Sequence, residues 1–196
     1  MITNDKDQPE LIRSLLKPDV YDHPVTDIEL IETHISWVIL TGAYAYKIKK
    51  PIDLGFLDFS TLERRLFCCN EELRLNSRLA AAIYLEVVAI SGRRERPVLR
   101  GSGAAIEYAI KMVQFPQQAQ LDNMLANGEL ENYHMDAIAD LVAGFHTSTD
   151  VAAEDSNFGD PQHVYQPVAE NFTQIRQHLD SKKYDEQLDA LEDWSR

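Results

Sequence analysis

The sequence predicts an α+β protein with an antiparallel sheet, and three observations carry that reading. Strand-like segments bracket one long amphipathic helix in residues 1–115. Beyond Pro116 every periodic segment has helical spacing. The charge also divides near that point: residues 1–121 hold 15 Lys/Arg against 16 Asp/Glu, and residues 122–196 hold 4 against 16. Two parts are therefore expected, a sheet-bearing lobe over 1–115 and a helical part over 116–196.

The elements follow in order. Leu11, Ile12, Leu15 and Leu16 share one face of a short helix over 9–17, which Pro18 ends. The β-branched and aromatic run from Ile28 to Leu40 reads as one strand. Thr41-Gly42 is a turn signal, and AYAYKIK (43–49) returns as a second strand with Tyr44, Tyr46 and Ile48 on one face. Ala45, Lys47 and Lys49 then share the other face. After the loop KPIDLGFLDFS, Ser60 or Thr61 caps a helix running to about Ala81. Its apolar positions are Leu62, Leu66, Cys69, Leu73 and Ala80, with Arg64, Arg65, Glu71 and Arg74 on other faces. YLEVVAI (84–90) is a strand, Ser91 to Gly103 a basic turn with a hairpin bend at Gly101-Ser102-Gly103, and IEYAIKMVQF (106–115) a further strand closed by Pro116. Leu121 to Ala126, Met135 to His146, Val164 to Leu179 and Tyr184 to Trp194 read as helices, with a loop over 149–163.

Composition narrows the function classes. A 44% hydrophobic content is enough for a core without disulfide staples. No run of eighteen apolar residues occurs and the first ten residues are polar and acidic, so neither a membrane span nor a secretory signal is expected, and a cytoplasmic location is. The acidic second part would repel a phosphate backbone, so no nucleic-acid partner is expected there. A cationic substrate or partner would be drawn to that surface, but ordinary solubility is the preferred explanation of the charge. The only cysteines, Cys68 and Cys69, are neighbours with no zinc-like spacing around them, and read as reduced packing residues.

The lysines of YKIKK are the leading chemical candidates. A strand lysine followed by a helix glutamate is the arrangement that fixes a positive charge near nucleotide phosphates in kinase-like folds. Lys47 and Lys49 both qualify by face, and the carboxylate is Glu72 or Glu71. A strand lysine is usually a solvated edge residue, and helix glutamates usually pair locally. The strand ending at Pro116 would supply a base-recognising hinge through its main chain, which points to Met112, Val113 and Gln114 by position alone. Neither a Walker-type nor a dinucleotide-type glycine motif occurs, and no nucleophile elbow or zinc-binding histidine pair is present.

The segments ETHISWVILTGAYAYKIKKPIDLGFLDFSTLERR, EELRLNSRLAAAIYLEVVAI, EYAIKMVQFP with LDNML, the helix ending GFH, and NFGDP with VAENF together resemble the aminoglycoside-phosphotransferase-like kinase family. The likeness is strongest to bacterial proteins in which this region precedes a P-loop ATPase domain, and it covers about residues 25–180. The resemblance implies a protein-kinase-like N-lobe and the first helices of a helical C-lobe. It implies that Lys47 contacts phosphate with Lys49 beside it, that Glu72 rather than Glu71 is the partner, and that the hinge lies at Met112 to Phe115. It implies ATP-dependent phosphorylation of a small-molecule hydroxyl, with ATP and magnesium as cofactors.

One departure tempers that expectation. The family's H-G-D-x-H-x-x-N loop supplies the proton-accepting aspartate and a magnesium-binding asparagine, and His-Gly-Asp does not occur in this sequence. The expectation is therefore a truncated, ATP-binding side of such a kinase, with ATP and magnesium binding weak or absent, no catalytic or metal-ligating residue, and no appreciable activity by itself. A non-catalytic nucleotide-binding or protein-interaction module, or half of a split kinase, is the alternative. A protein partner would then cover apolar helix faces at Phe172, Ile175, Leu188, Leu191 and Trp194.

Overall fold

The computed structural model describes residues 9–153, 156–179 and 183–195. Two residues of the loop expected over 149–163, 154 and 155, lie outside them. The chain divides into two compact units after Ala137, within one helix.

The first unit opens with α1 (Glu10–Leu15), after which Pro18 starts a 3-10 turn over Pro18–Val20. A six-stranded antiparallel sheet follows in the order β1-β2-β3-β6-β4-β5. Its strands are β1 (Glu29–Glu32), β2 (Ser36–Leu40), β3 (Tyr44–Lys49), β4 (Tyr84–Arg93), β5 (Arg96–Leu99) and β6 (Glu107–Val113). The sheet curls into a half-barrel, and α2 (Leu62–Ala80) crosses between β3 and β4. The fold is α+β with an antiparallel sheet, as the pattern predicts.

Two segments differ from the sequence expectation. The run Ile28 to Leu40 is two strands, because Thr33 folds back on Ser36: its N–H and hydroxyl donate to the Ser36 carbonyl at 2.9 and 3.1 Å, and the Ser36 N–H donates to the Thr33 hydroxyl at 2.9 Å. A Thr that bonds its own neighbours makes a turn inside a β-branched run, which composition does not signal. The basic segment Ser91 to Gly103 contains β5, paired to the end of β4 from Ile90↔Leu99 to Arg93↔Arg96. The hairpin bend is thus at Arg94-Glu95. Gly101 to Gly103 instead lies on the connection from edge strand β5 to β6 on the other side of β4.

Alternation along β3 assigns its two faces. Tyr46 and Ile48 join Leu11, Ile12, Leu15, Tyr21, Trp37, Ile39, Ile90 and Ala109 in the main core, so α1 packs on that side. Fully burying each large aliphatic in this set stabilises the fold by about 1.5–3 kcal/mol. Ala45, Lys47 and Lys49 face the opposite side, where α2 lies. The β2–β3 turn needs a left-handed Gly42, at φ +92°, and a Cβ there would meet the Thr26 hydroxyl oxygen at 2.3 Å.

After a second 3-10 turn at Gln117–Ala119 come α3 (Leu121–Ala126) and α4 (Asn132–Ser148), the latter crossing into the second unit. There α5 (Pro161–His178) is capped by the Asp160 carboxylate, which accepts from the Gln162 N–H at 3.0 Å. Helix α6 (Asp185–Ser195) lies against α5. Arg176 of α5 ties the two by donating to Asp189 at 2.8 Å and Glu192 at 2.9 Å. Leu188 is buried, whereas Ile175, Leu191 and Trp194 are exposed, so the expected apolar face is open at three of its five positions and partly covered at Phe172. No described helix is long and apolar enough to cross a membrane.

Candidate functional site

The site is built where β3 faces α2. Along α2, Arg65, Cys69 and Glu72 recur at intervals of four and three residues, which places them on one stripe. That stripe faces the sheet. Arg65 is 8% exposed, Cys69 0%, and the Glu72 side chain 15%. Thr61 fixes the start of the helix by accepting from the Arg64 N–H at 3.3 Å.

Glu72 receives both lysines. Its Oε1 accepts from Lys47 Nζ at 2.7 Å and its Oε2 from Lys49 Nζ at 2.7 Å. Glu71, one residue earlier and turned outward, takes Arg74 at 2.7 Å instead. Neither lysine sits on a free sheet edge, because β3 is paired to β2 and β6. Burial, the largest single influence, would raise the Glu72 carboxyl, yet the hydrogen bonds and charges of Lys47 and Lys49 together hold it below the ordinary carboxylate range. Lys49 also lies 4.7 Å from the centroid of the Phe59 ring. Beside it Cys69 is driven the other way, burial pushing its thiol up to about 12.

A second ion pair supports the first and is not readable from the sequence. Arg65, expected on an outer face, is buried and donates from Nε to both oxygens of Glu107 at 2.9 and 3.0 Å. Its Nη1 donates to the Phe59 carbonyl at 2.9 Å and the Ser60 carbonyl at 3.3 Å. Arg65 thus anchors the loop that puts Phe59 under Lys49.

Lys47 also lines a cleft of about 300 Å³. The walls are Ile31, Val38, Leu40 and Ala45 from β1 to β3, with Met112 and Phe115 from β6 and its exit. A mostly apolar cleft with one cation, Lys47, among its lining residues has the makings of a small-molecule site. Among the hinge candidates, Met112, Val113 and Gln114 all line it. Their main-chain donors are otherwise engaged at two positions: the Val113 N–H donates to the Ile83 carbonyl at 2.8 Å and the Gln114 N–H to the Ala43 carbonyl at 3.1 Å. The Gln114 side chain is engaged too, its Oε1 accepting from the N–H groups of Thr41 and Gly42 at 3.0 and 2.9 Å. No described residue accepts from the Phe115 N–H, and Phe115 is among the residues that line the cleft. Ser36 Oγ, fully buried and paired in register with Lys49, has no hydrogen-bond partner among the described residues.

Comparison with known proteins places relatives but not a function. No protein-family model matches the chain, and no solved structure matches it. An uncharacterized protein of Mycobacterium bovis and two of Mycobacterium tuberculosis are each 35% identical to it over 161 residues, 81% of this chain. The chain spans 31% of the length of these relatives.

Proposed function

We propose that the first unit binds ATP and that the chain is the nucleotide-binding side of an aminoglycoside-phosphotransferase-like small-molecule kinase. The observation that carries this reading is the coincidence of Lys47 as both a wall of the cleft and a ligand of Glu72. The cleft's volume and apolar walls suit a base, and the Phe115 N–H suits its hydrogen-bonding edge. Held by Glu72, Lys47 presents a fixed charge to the phosphates, as phosphoryl transfer requires. The residues therefore fit ATP. Among the described residues no three His, Cys, Asp or Glu side chains come together, and a magnesium ion carried by ATP needs only one or two protein carboxylates beside the phosphates and water. Lys47 is the cation that the cleft itself would bring to the phosphates.

The reaction of the whole protein, on this reading, is transfer of a phosphoryl group from ATP to a hydroxyl of a small molecule. Isothermal titration of the chain with ATP tests the binding. Micromolar to submillimolar affinity that Lys47→Ala abolishes is expected. Absence of heat at millimolar ATP would overturn the reading in favour of an interaction module.

A further inference from the structure

The chain carries 32 acidic residues against 19 lysines and arginines, so an arginine without a carboxylate is the exception. Arg64 pairs with Asp58, Arg65 with Glu107, Arg74 with Glu71, Arg100 with Glu86, and Arg176 with Asp189 and Glu192. Arg13 and Arg78 are engaged as well. Among the described arginines, only Arg93, Arg94 and Arg96 have no side-chain partner. These three fall together at the tip of the β4–β5 hairpin, and all are exposed. Glu95, in the same bend, pairs with none of them.

The hairpin holds these charges together against their repulsion. Arg93 lies directly opposite Arg96 in the ladder, a placement that brings Cβ atoms to about 5 Å and is destabilising for like charges. Below them Gly92, at φ +86°, faces Pro97, and a Cβ on Gly92 would meet the Arg96 carbonyl oxygen at 2.6 Å. The main chain therefore closes tightly under the arginines. Val98, 49% exposed, shares a face with Arg96 and so with Arg93. None of these residues lines the cleft that holds Lys47.

We propose that the β4–β5 hairpin tip is a docking site for an acidic helical segment of a second polypeptide, whose carboxylates pair with Arg93, Arg94 and Arg96 while Val98 adds an apolar contact. The same fold shows the chemistry at Arg176, which takes Asp189 at 2.8 Å and Glu192 at 2.9 Å, with Asp185 at 3.9 Å. Those carboxylates stand three and four residues apart on one helix, and that spacing sets them on one face. A partner helix with the same spacing presents its charge in a patch as compact as the hairpin tip. Addition of a strand fits less well, since Pro97 takes a main-chain donor away from the edge strand β5. A nucleic-acid strand fits less well too, because its phosphates would run on from three arginines into the field of a chain of net charge −13. The proposal is independent of the nucleotide reading above.

Two measurements on the full chain test it. In the first, a fluorescent helical peptide with glutamates three and four residues apart, and separately a uridylate oligonucleotide of equal charge, are titrated by anisotropy at low salt. The proteins are the parent, a variant combining Arg93→Gln, Arg94→Gln and Arg96→Gln, and Arg74→Gln, which removes an exposed but already paired arginine. The peptide is expected to bind the parent more tightly than the oligonucleotide does, to lose on the order of tenfold in the combined variant, the scale of several exposed ion pairs, and to be unaffected by Arg74→Gln. No binding of the peptide, an unchanged affinity in the combined variant, or an equal loss in Arg74→Gln would overturn the site. Tighter binding of the oligonucleotide would overturn the choice of a polypeptide partner. The second measurement needs no ligand. Arg96→Gln relieves the repulsion by Arg93 and should raise Tm by about 1–4 °C. A fall in Tm would show that Arg96 stabilises the fold and contradict its being held free for a partner.

Discussion

Replacing Arg65 by Met removes the guanidinium while keeping an unbranched stem to fill its space. Three short hydrogen bonds disappear, two to Glu107 at 2.9 and 3.0 Å and one to the Phe59 carbonyl at 2.9 Å. Glu107, 7% exposed, is left with only the Tyr108 N–H at 3.1 Å as a described donor. Breaking a buried pair in this way costs about 3–5 kcal/mol. For a chain of this size that corresponds to a fall in Tm of roughly 6–20 °C. Thermal unfolding followed by circular dichroism reads it directly. Adding Glu107→Leu should recover much of the loss, since the stranded carboxylate rather than the missing attraction dominates the cost. A fall of less than about 2 °C, or a double variant no more stable than the single, would refute the reasoning. Limited proteolysis should find new cleavage between residues 51 and 60 in the single variant, because Arg65 fastens that loop at Phe59 and Ser60.

Other perturbations follow from the same contacts. The Glu72 carboxyl is depressed in the fold, so its contribution is complete above the unfolded value of about 4.3 and is lost as pH falls through the folded one. Urea unfolding should find Glu72→Gln about 2–3 kcal/mol less stable than the parent at pH 7, with the gap narrowing toward pH 3; a constant gap would contradict it. Gly42→Ala, at φ +92° with the Thr26 hydroxyl oxygen 2.3 Å from the added Cβ, should cost about 1–3 kcal/mol. Adding Thr26→Ala should restore only the steric share, as equilibrium unfolding would measure. With its thiol pushed up to about 12 and its side chain buried, Cys69 should resist iodoacetamide at pH 8 in the native chain and react in denaturant, as read by mass spectrometry.

Much of this architecture is legible in local pattern. The period-2 alternation of 43–49 separates Tyr46 and Ile48 from Lys47 and Lys49, and the sheet uses that division, core on one side and α2 on the other. The family resemblance favours Glu72 over Glu71, and the structure gives Glu72 both lysines while Glu71 binds Arg74. What pattern leaves hidden are features made by distant partners. Arg65 looks like one more helix-surface cation until β6 brings Glu107 to it. The break between β1 and β2 depends on Thr33 and Ser36 bonding each other, in a run whose composition is continuously strand-like. The end of β6 is legible from Pro116, but which main-chain donors remain available there depends on Ile83 and Ala43 taking those of Val113 and Gln114.

The most direct test of the central claim is to titrate adenosine, inorganic tripolyphosphate and ATP separately into the isotope-labelled chain, following the Phe115 amide and the Lys47 ammonium by NMR. The account predicts that adenosine moves Phe115, tripolyphosphate moves Lys47, and ATP moves both with one binding constant. Shifts confined to other parts of the chain, or none at millimolar ATP, would contradict it.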